Sequence, residues 1–194
     1  SLLPKYRGPT PVQTAILNGD KKTGITIIKL DEEVDHGPIL AQVEEPIFEN
    51  DTSESLYDRL FKLGAGSIVS TIELYLKGKI KPQEQDHSKA TFTKKLARDD
   101  GYFDLQSPPS PQILDRMIRA YYPWPSVWTK VQITTSNKQQ LTTNAKKLEV
   151  RIKFLPNNLI QVEGKKPMSY KDFINGYPNL SPVMLNLVQH LKRF

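Results

Sequence analysis

Gly24-Ile25-Thr26-Ile27-Ile28-Lys29-Leu30 is a β-branched run of strand length, and Pro38-Ile39-Leu40-Ala41-Gln42-Val43-Glu44 reads as a second strand. Between them lies Asp31-Glu32-Glu33-Val34-Asp35-His36-Gly37, so the pattern predicts an acidic loop, closed by a glycine turn, joining two strands. Farther on, Leu56, Leu60, Leu63, Val69, Ile72 and Leu76 recur at helical spacing behind Asp51 or Thr52 as cap, with Glu54 in the first turn. A long helix ending near Lys77 is expected, with Gly64 and Gly66 as candidate kink points.

After that helix the chain turns polar with few apolar anchors from Gly78 to Ser88, which predicts a boundary. A first domain over 1–80, a linker over 81–95 and a second domain over 96–194 follow. Within the second domain, Ser110 and Pro111 open an apolar stripe of Ile113, Leu114, Met117, Ile118 and Tyr121 that must stop before Pro123. One short amphipathic helix results. Val127–Ile133, Leu148–Phe154 and Leu159–Glu163 alternate apolar with polar, the signature of half-buried strands in an antiparallel sheet or small barrel, with Arg151 and Lys153 on its outer face. Ser169 and Ser181-Pro182 mark the starts of two short C-terminal helices. Trp124 and Trp128, at the junction of helix and strand, are read as core rather than as base-stacking surface.

Composition narrows the chemistry. The 194 residues are 38% hydrophobic and 25% charged, the balance of a globular protein with a core. No cysteine and only 3 histidines argue against disulfide, iron–sulfur and zinc sites, so no metal is expected. Without a long apolar span or a signal-peptide core, a cytoplasmic location fits best. The formal charge of +6 is unevenly spread. Residues 1–90 hold 11 Lys and Arg against 14 Asp and Glu, a net −3, whereas residues 91–194 hold 16 against 7, a net +9. A basic half is either a solvated surface or the footprint of a module that holds a phosphate backbone. Lys94, Lys95, Arg98, Lys146, Lys147, Lys165 and Lys166 are the candidate phosphate contacts.

In the first half, Asp35 is the one good candidate for acid–base chemistry. It ends an acidic loop in which Asp31, Glu32 and Glu33 would raise its pKa by like charge and suit it to act as a general base, although such loops are more often merely solvated. A hydrolytic triad of Ser1, His36 and Asp35 has no nucleophile elbow to support it, and no glycine-rich phosphate loop is present.

The segment SLLPKYRGPTPVQTAILNGDKKTGITIIKLDEEVDHGPIL resembles the central part of the 10-formyltetrahydrofolate-dependent formyltransferases over some forty residues. In that family a Ser-Leu-Leu-Pro-x-Tyr-Arg-Gly loop follows an Asn-x-His motif and precedes Thr-Gly and an Asp-x-Gly loop. IRAYYPWPSVWTKV and IQVEGKKPMSYKDFINGYP, at Ile118–Val131 and Ile160–Pro178, resemble the C-terminal domain of the methionyl-tRNA formyltransferases within the family. The resemblance implies an α/β Rossmann-like formyltransferase domain, lacking its first strands, followed by a mainly β, OB-like barrel domain with short helices.

It also implies roles. Ser1, Leu2, Leu3 and Pro4 match the tetrahydrofolate-binding segment, and Asp35 matches the catalytic carboxylate near the formyl-bearing nitrogen. His36 is given no role. The donor would be 10-formyltetrahydrofolate and the acceptor the α-amino group of methionyl initiator tRNA, with neither a membrane nor an obligate protein partner. The Asn and His that hold the oxyanion would fall just before Ser1, so the chain is expected to be the C-terminal two-thirds of such an enzyme and inactive alone. A stand-alone RNA-binding module and a sugar N-formyltransferase are the alternatives; the basic half argues against the sugar enzyme.

Overall fold

The computed structural model describes residues 1–135, 146–177 and 180–191, leaving aside the side chains of 133–135 and 146–147. The chain forms two compact units, Ser1–Leu96 and Ala97–Phe194.

In the first unit, α1 (Pro11–Asn18) begins with a proline in its first turn and ends at Gly19, whose φ of 72° lets its N–H return to the Ala15 and Ile16 carbonyls. It buries Val12, Ala15 and Ile16. Strands β1 (Lys22–Ile28) and β2 (Ile39–Pro46) pair antiparallel with Ile25 opposite Val43, and the register shifts at Ile27/Ile28 where the chain leaves for the acidic loop. The long helix α2 (Ser53–Leu76) runs uninterrupted through Gly64 and Gly66. Of the two candidate caps Thr52 serves: its hydroxyl accepts from Ser55 N (3.2 Å), and Ser55 Oγ accepts from Thr52 N (3.0 Å).

Leu56 and Leu60 bury that helix against α1 and the strands, but Val69, Ile72 and Leu76 are exposed, so only the first half of the predicted apolar stripe packs within the unit. Residues 81–95, expected as a linker, are hydrogen-bonded into the same unit. Gln83 and Ile39 exchange two backbone bonds (2.7 and 2.9 Å), Arg7 N donates to Thr91 O (2.8 Å), and Thr93 N donates to Arg7 O (2.8 Å).

The second unit carries α3 (Pro111–Ala120), with Ser110 as cap, and a four-stranded sheet of β3 (Val127–Thr135), β4 (Lys146–Leu155), β5 (Leu159–Val162) and β6 (Met168–Ser169). The strands follow one another antiparallel in chain order. Helices α4 (Tyr170–Gly176), capped by Ser169, and α5 (Pro182–Leu191) start where the sequence placed them. Val127, Val131, Ile152, Phe154, Ile160 and Val162 form the buried face of the sheet, α3 packs on β4 and on α5, α4 packs on β5, and Leu114, Phe173, Met184 and Val188 of these helices are buried too.

The expected barrel is not formed among the described residues. β6 has only two residues and pairs with β5 alone, which leaves an open sheet rather than a closed one. Trp128 is buried as expected, but Trp124 is 55% exposed, held between Pro123 and Pro125 in the turn after α3.

Candidate functional site

The segment Ser1–Pro4 lies across the two-stranded sheet. Thr26 Oγ1 donates to the Ser1 carbonyl (2.6 Å) and accepts from Leu3 N (3.2 Å), while Gln42 Nε2 donates to the Leu3 carbonyl (2.7 Å). Gly24 makes this close approach feasible, because a Cβ there would run into the Leu2 side chain and the Val43 carbonyl. Leu3 is buried, and Leu2 borders a cavity of about 320 Å³ lined also by Lys5, Tyr6, Asp20, Lys21, Lys22 and Thr23.

Asp35 stands in the loop from β1 to β2. The loop is closed at its base by Lys29 N donating to Pro38 O (2.9 Å), with Gly37 so tight beneath the Lys29 carbonyl that no Cβ fits. Asp35 Oδ2 accepts the Gly8 N–H at 2.7 Å, a charge-assisted bond that ties the carboxylate to the Ser-Leu-Leu-Pro-Lys-Tyr-Arg-Gly segment. Asp35 and the 1–8 segment therefore meet in one place.

The acidic neighbours of Asp35 lie at the surface. Asp31 Oδ2 lies 2.7 Å from His36 Nδ1, and this hydrogen bond holds the Asp31 carboxyl below its ordinary value. Glu32 and Glu33 are exposed. Asp35 alone turns inward, because its backbone takes the left-handed conformation (φ 54°) while the acidic run before it stays outside.

Beyond the residues singled out above, Arg7, Gln85 and His87 belong to this site. Arg7, 4% exposed, donates from Nη2 to Gln85 Oε1 (2.7 Å) and contacts His87 Nδ1 (2.9 Å). Gln85 in turn donates to the carbonyls of Asp35 (2.9 Å) and Gly37 (2.7 Å). A charged residue amid Pro, Tyr and Gly at 4–8 was a hint of something buried. Gln85 and His87 sit in a stretch that reads as solvated linker.

The candidate phosphate contacts divide between the units. Lys94 and Lys95 are exposed at the end of the first, where the Lys94 carbonyl accepts from Thr10 Oγ1 (2.8 Å). Arg98, Lys165 and Lys166 are exposed in the second, and the side chains of Lys146 and Lys147 lie outside the described residues. On the outer face of the second unit's sheet, Trp128 is packed between Tyr102 (4.8 Å) and the Arg151 guanidinium (4.9 Å), and its indole N–H donates to Arg98 O (3.3 Å). Beside it Arg151, Lys153, Gln161, Glu163 and Gly164 line a cavity of about 200 Å³. Among the described residues no cluster of His, Asp and Glu could hold a metal ion, and no helix is long and apolar enough to cross a membrane.

Residues 1–72, which hold the antiparallel strand pair, the Ser-Leu-Leu-Pro segment laid over it and the loop with the inward Asp35 carboxylate, match the family model described as formyl transferase.

Its curated relatives are more particular. A methionyl-tRNA formyltransferase of Roseiflexus sp. (strain RS-1) is 50% identical over 129 residues, covering 66% of this chain and 39% of that protein. One from Koribacter versatilis (strain Ellin345) is 39% identical over 195 aligned residues, covering 92% of this chain and 62% of that protein. The chain thus spans less than two-thirds of the length of these relatives. Among solved structures, the methionyl-tRNA formyltransferase from Clostridium thermocellum superposes with a TM-score of 0.58 at 22% identity, over 87% of this chain and 66% of that one. The N-formyltransferase from Helicobacter canadensis, solved with folinic acid and dTDP-3-aminofucose, gives 0.54 at 20% identity, over 82% of this chain and 58% of that one. These two likenesses show the shared fold.

Proposed function

We propose that this chain supplies the Asp35-bearing part of a centre that moves a formyl group from 10-formyltetrahydrofolate to the α-amino group of methionyl initiator tRNA, in the cytoplasm. The observation that carries the reading is the inward Asp35 carboxylate, fixed by the Gly8 N–H. In the reaction the amine nitrogen bonds to the formyl carbon, the bond from that carbon to the folate nitrogen breaks, and one proton passes from the amine to the departing nitrogen. A carboxylate beside the reacting nitrogens can take and return that proton, an effect worth roughly 10²–10⁴-fold. Ser1–Pro4 would border the folate.

The 194 residues contain no Asn-x-His, so the chain alone lacks the family's oxyanion donors, each worth about 3–4 kcal/mol, and is expected to turn nothing over. A sugar acceptor is the second reading. The net +9 of residues 91–194 supports tRNA instead, because a nucleotide sugar needs few positive charges. The test offers the full product of the encoding gene 10-formyltetrahydrofolate with either methionyl-tRNA or a nucleotide-linked amino sugar, and follows the formylated product by mass spectrometry. Formylmethionyl-tRNA alone is expected; formylated sugar alone would overturn the assignment of the acceptor.

A further inference from the structure

A non-glycine residue in the left-handed region keeps that conformation only where its surroundings fix it, and Asp35 at φ 54° is such a residue. The fixing comes from outside the loop. Gln85, 5% exposed, straddles His36 by donating both hydrogens of its amide to main-chain carbonyls, one to Asp35 and one to Gly37. Its own oxygen is held by Arg7 Nη2. The same Arg7 nitrogen lies 2.9 Å from His87 Nδ1, and since a guanidinium cannot accept, Nδ1 must be the acceptor. The His87 ring stacks on His36 at 4.0 Å with the planes 10° apart, and His36 is tethered to Asp31. The loop is thus gripped on its main chain on both sides of His36 and on the His36 ring itself, and a single Arg7 nitrogen holds both grips.

We infer that Arg7 is a positioning residue for Asp35, acting through Gln85 and His87, while the residue after it supplies the N–H that the carboxylate accepts. The inference rests on the reading of Asp35 as the proton-handling group.

The Gly8 amide reports the result, because its N–H is bonded to Asp35 Oδ2. Gln85→Glu is the sharpest variant: a carboxylate still accepts from Arg7 in the same buried space but can donate to neither loop carbonyl. Amide exchange followed by NMR on the whole 194-residue chain should show the Gly8 protection factor falling at least about tenfold in Gln85→Glu and in Arg7→Lys. The Arg7 and Thr93 amides, bonded to each other's strands away from the loop, should stay within about twofold.

Unchanged Gly8 protection in Gln85→Glu would overturn the proposal. So would equal loss at Gly8, Arg7 and Thr93, because it would mean that the network holds the fold rather than the loop. In the full gene product, Gln85→Glu should lower kcat while leaving the KM for folate within about twofold. If Asp35→Asn left turnover intact there, the catalytic reading would fail while the exchange result stood on its own.

Discussion

Asp51→Asn perturbs the joint between β2 and α2. The Asp51 side chain is 5% exposed and accepts four bonds: Oδ2 from Phe48 N (2.8 Å) and Arg59 Nη2 (2.7 Å), and Oδ1 from Ser55 Oγ (3.0 Å) and Arg59 Nη1. Burial alone would raise its pKa. The bonds from Arg59, Phe48 N and Ser55 outweigh that and hold the carboxyl below its ordinary value, and Asp51 in return raises the Arg59 guanidinium. An asparagine loses the charge and turns an NH₂ toward Arg59, which can only donate.

Removing one partner of a buried pair can cost about 3–5 kcal/mol. Here Arg59 keeps Glu45 (2.8 Å) and the Pro46 carbonyl (2.9 Å) and is itself partly exposed, so about 2 kcal/mol is the better figure, that of a charged hydrogen bond. For a chain of this size melting cooperatively, that lowers Tm by about 4–8 °C. Circular dichroism melts at neutral pH measure it. The sign with pH follows from the depressed pKa: the contribution is fully present above the ordinary carboxyl range and is lost as pH falls through the folded value, so the gap between parent and variant should close on acidification. A gap below about 2 °C at neutral pH, or one that persists unchanged into acid, would refute the reasoning.

Gly37→Ala would drive a Cβ into the Lys29 carbonyl and should cost about 1–3 kcal/mol, read by urea unfolding, with the Gly8 amide resonance moving as the loop shifts. If the exposed basic side chains hold a tRNA backbone, replacing Lys95, Arg98, Lys165 and Lys166 by Ala should weaken binding to every tRNA alike and flatten the log–log salt dependence by about 0.7–0.9 per lost contact. Fluorescence anisotropy at several salt concentrations measures this, and an unchanged slope would make them ordinary solvated charges.

Local pattern made most of the elements legible. Alternation found β3, β4 and β5, and the serines at 110, 169 and 181 marked three helix starts, because capping and periodicity act over a few residues. The pattern assigned nothing to 11–18, although α1 has a proline in its first turn and a glycine after its end; eight residues offer too few turns for the period to show. Strand alternation predicts which face is buried but not whether a sheet closes, and closure here would have needed more than the two residues of β6.

The site divides in the same way. Asp35 and Ser1–Pro4 were legible from the motif. Gln85 and His87 were not, since they serve Arg7 and the Asp35 loop from 78 and 80 residues beyond Arg7, through hydrogen bonds that composition renders as linker.

The central claim is that Asp35 handles the proton of a formyl transfer. Its most direct test is the turnover of Asp35→Asn in the full gene product under saturating 10-formyltetrahydrofolate and methionyl-tRNA, with circular dichroism showing the fold intact. Turnover lower by at least about tenfold is predicted, since a positioned acid–base group contributes roughly 10²–10⁴-fold. A variant as active as the parent would contradict the account and remove Asp35 from the reaction.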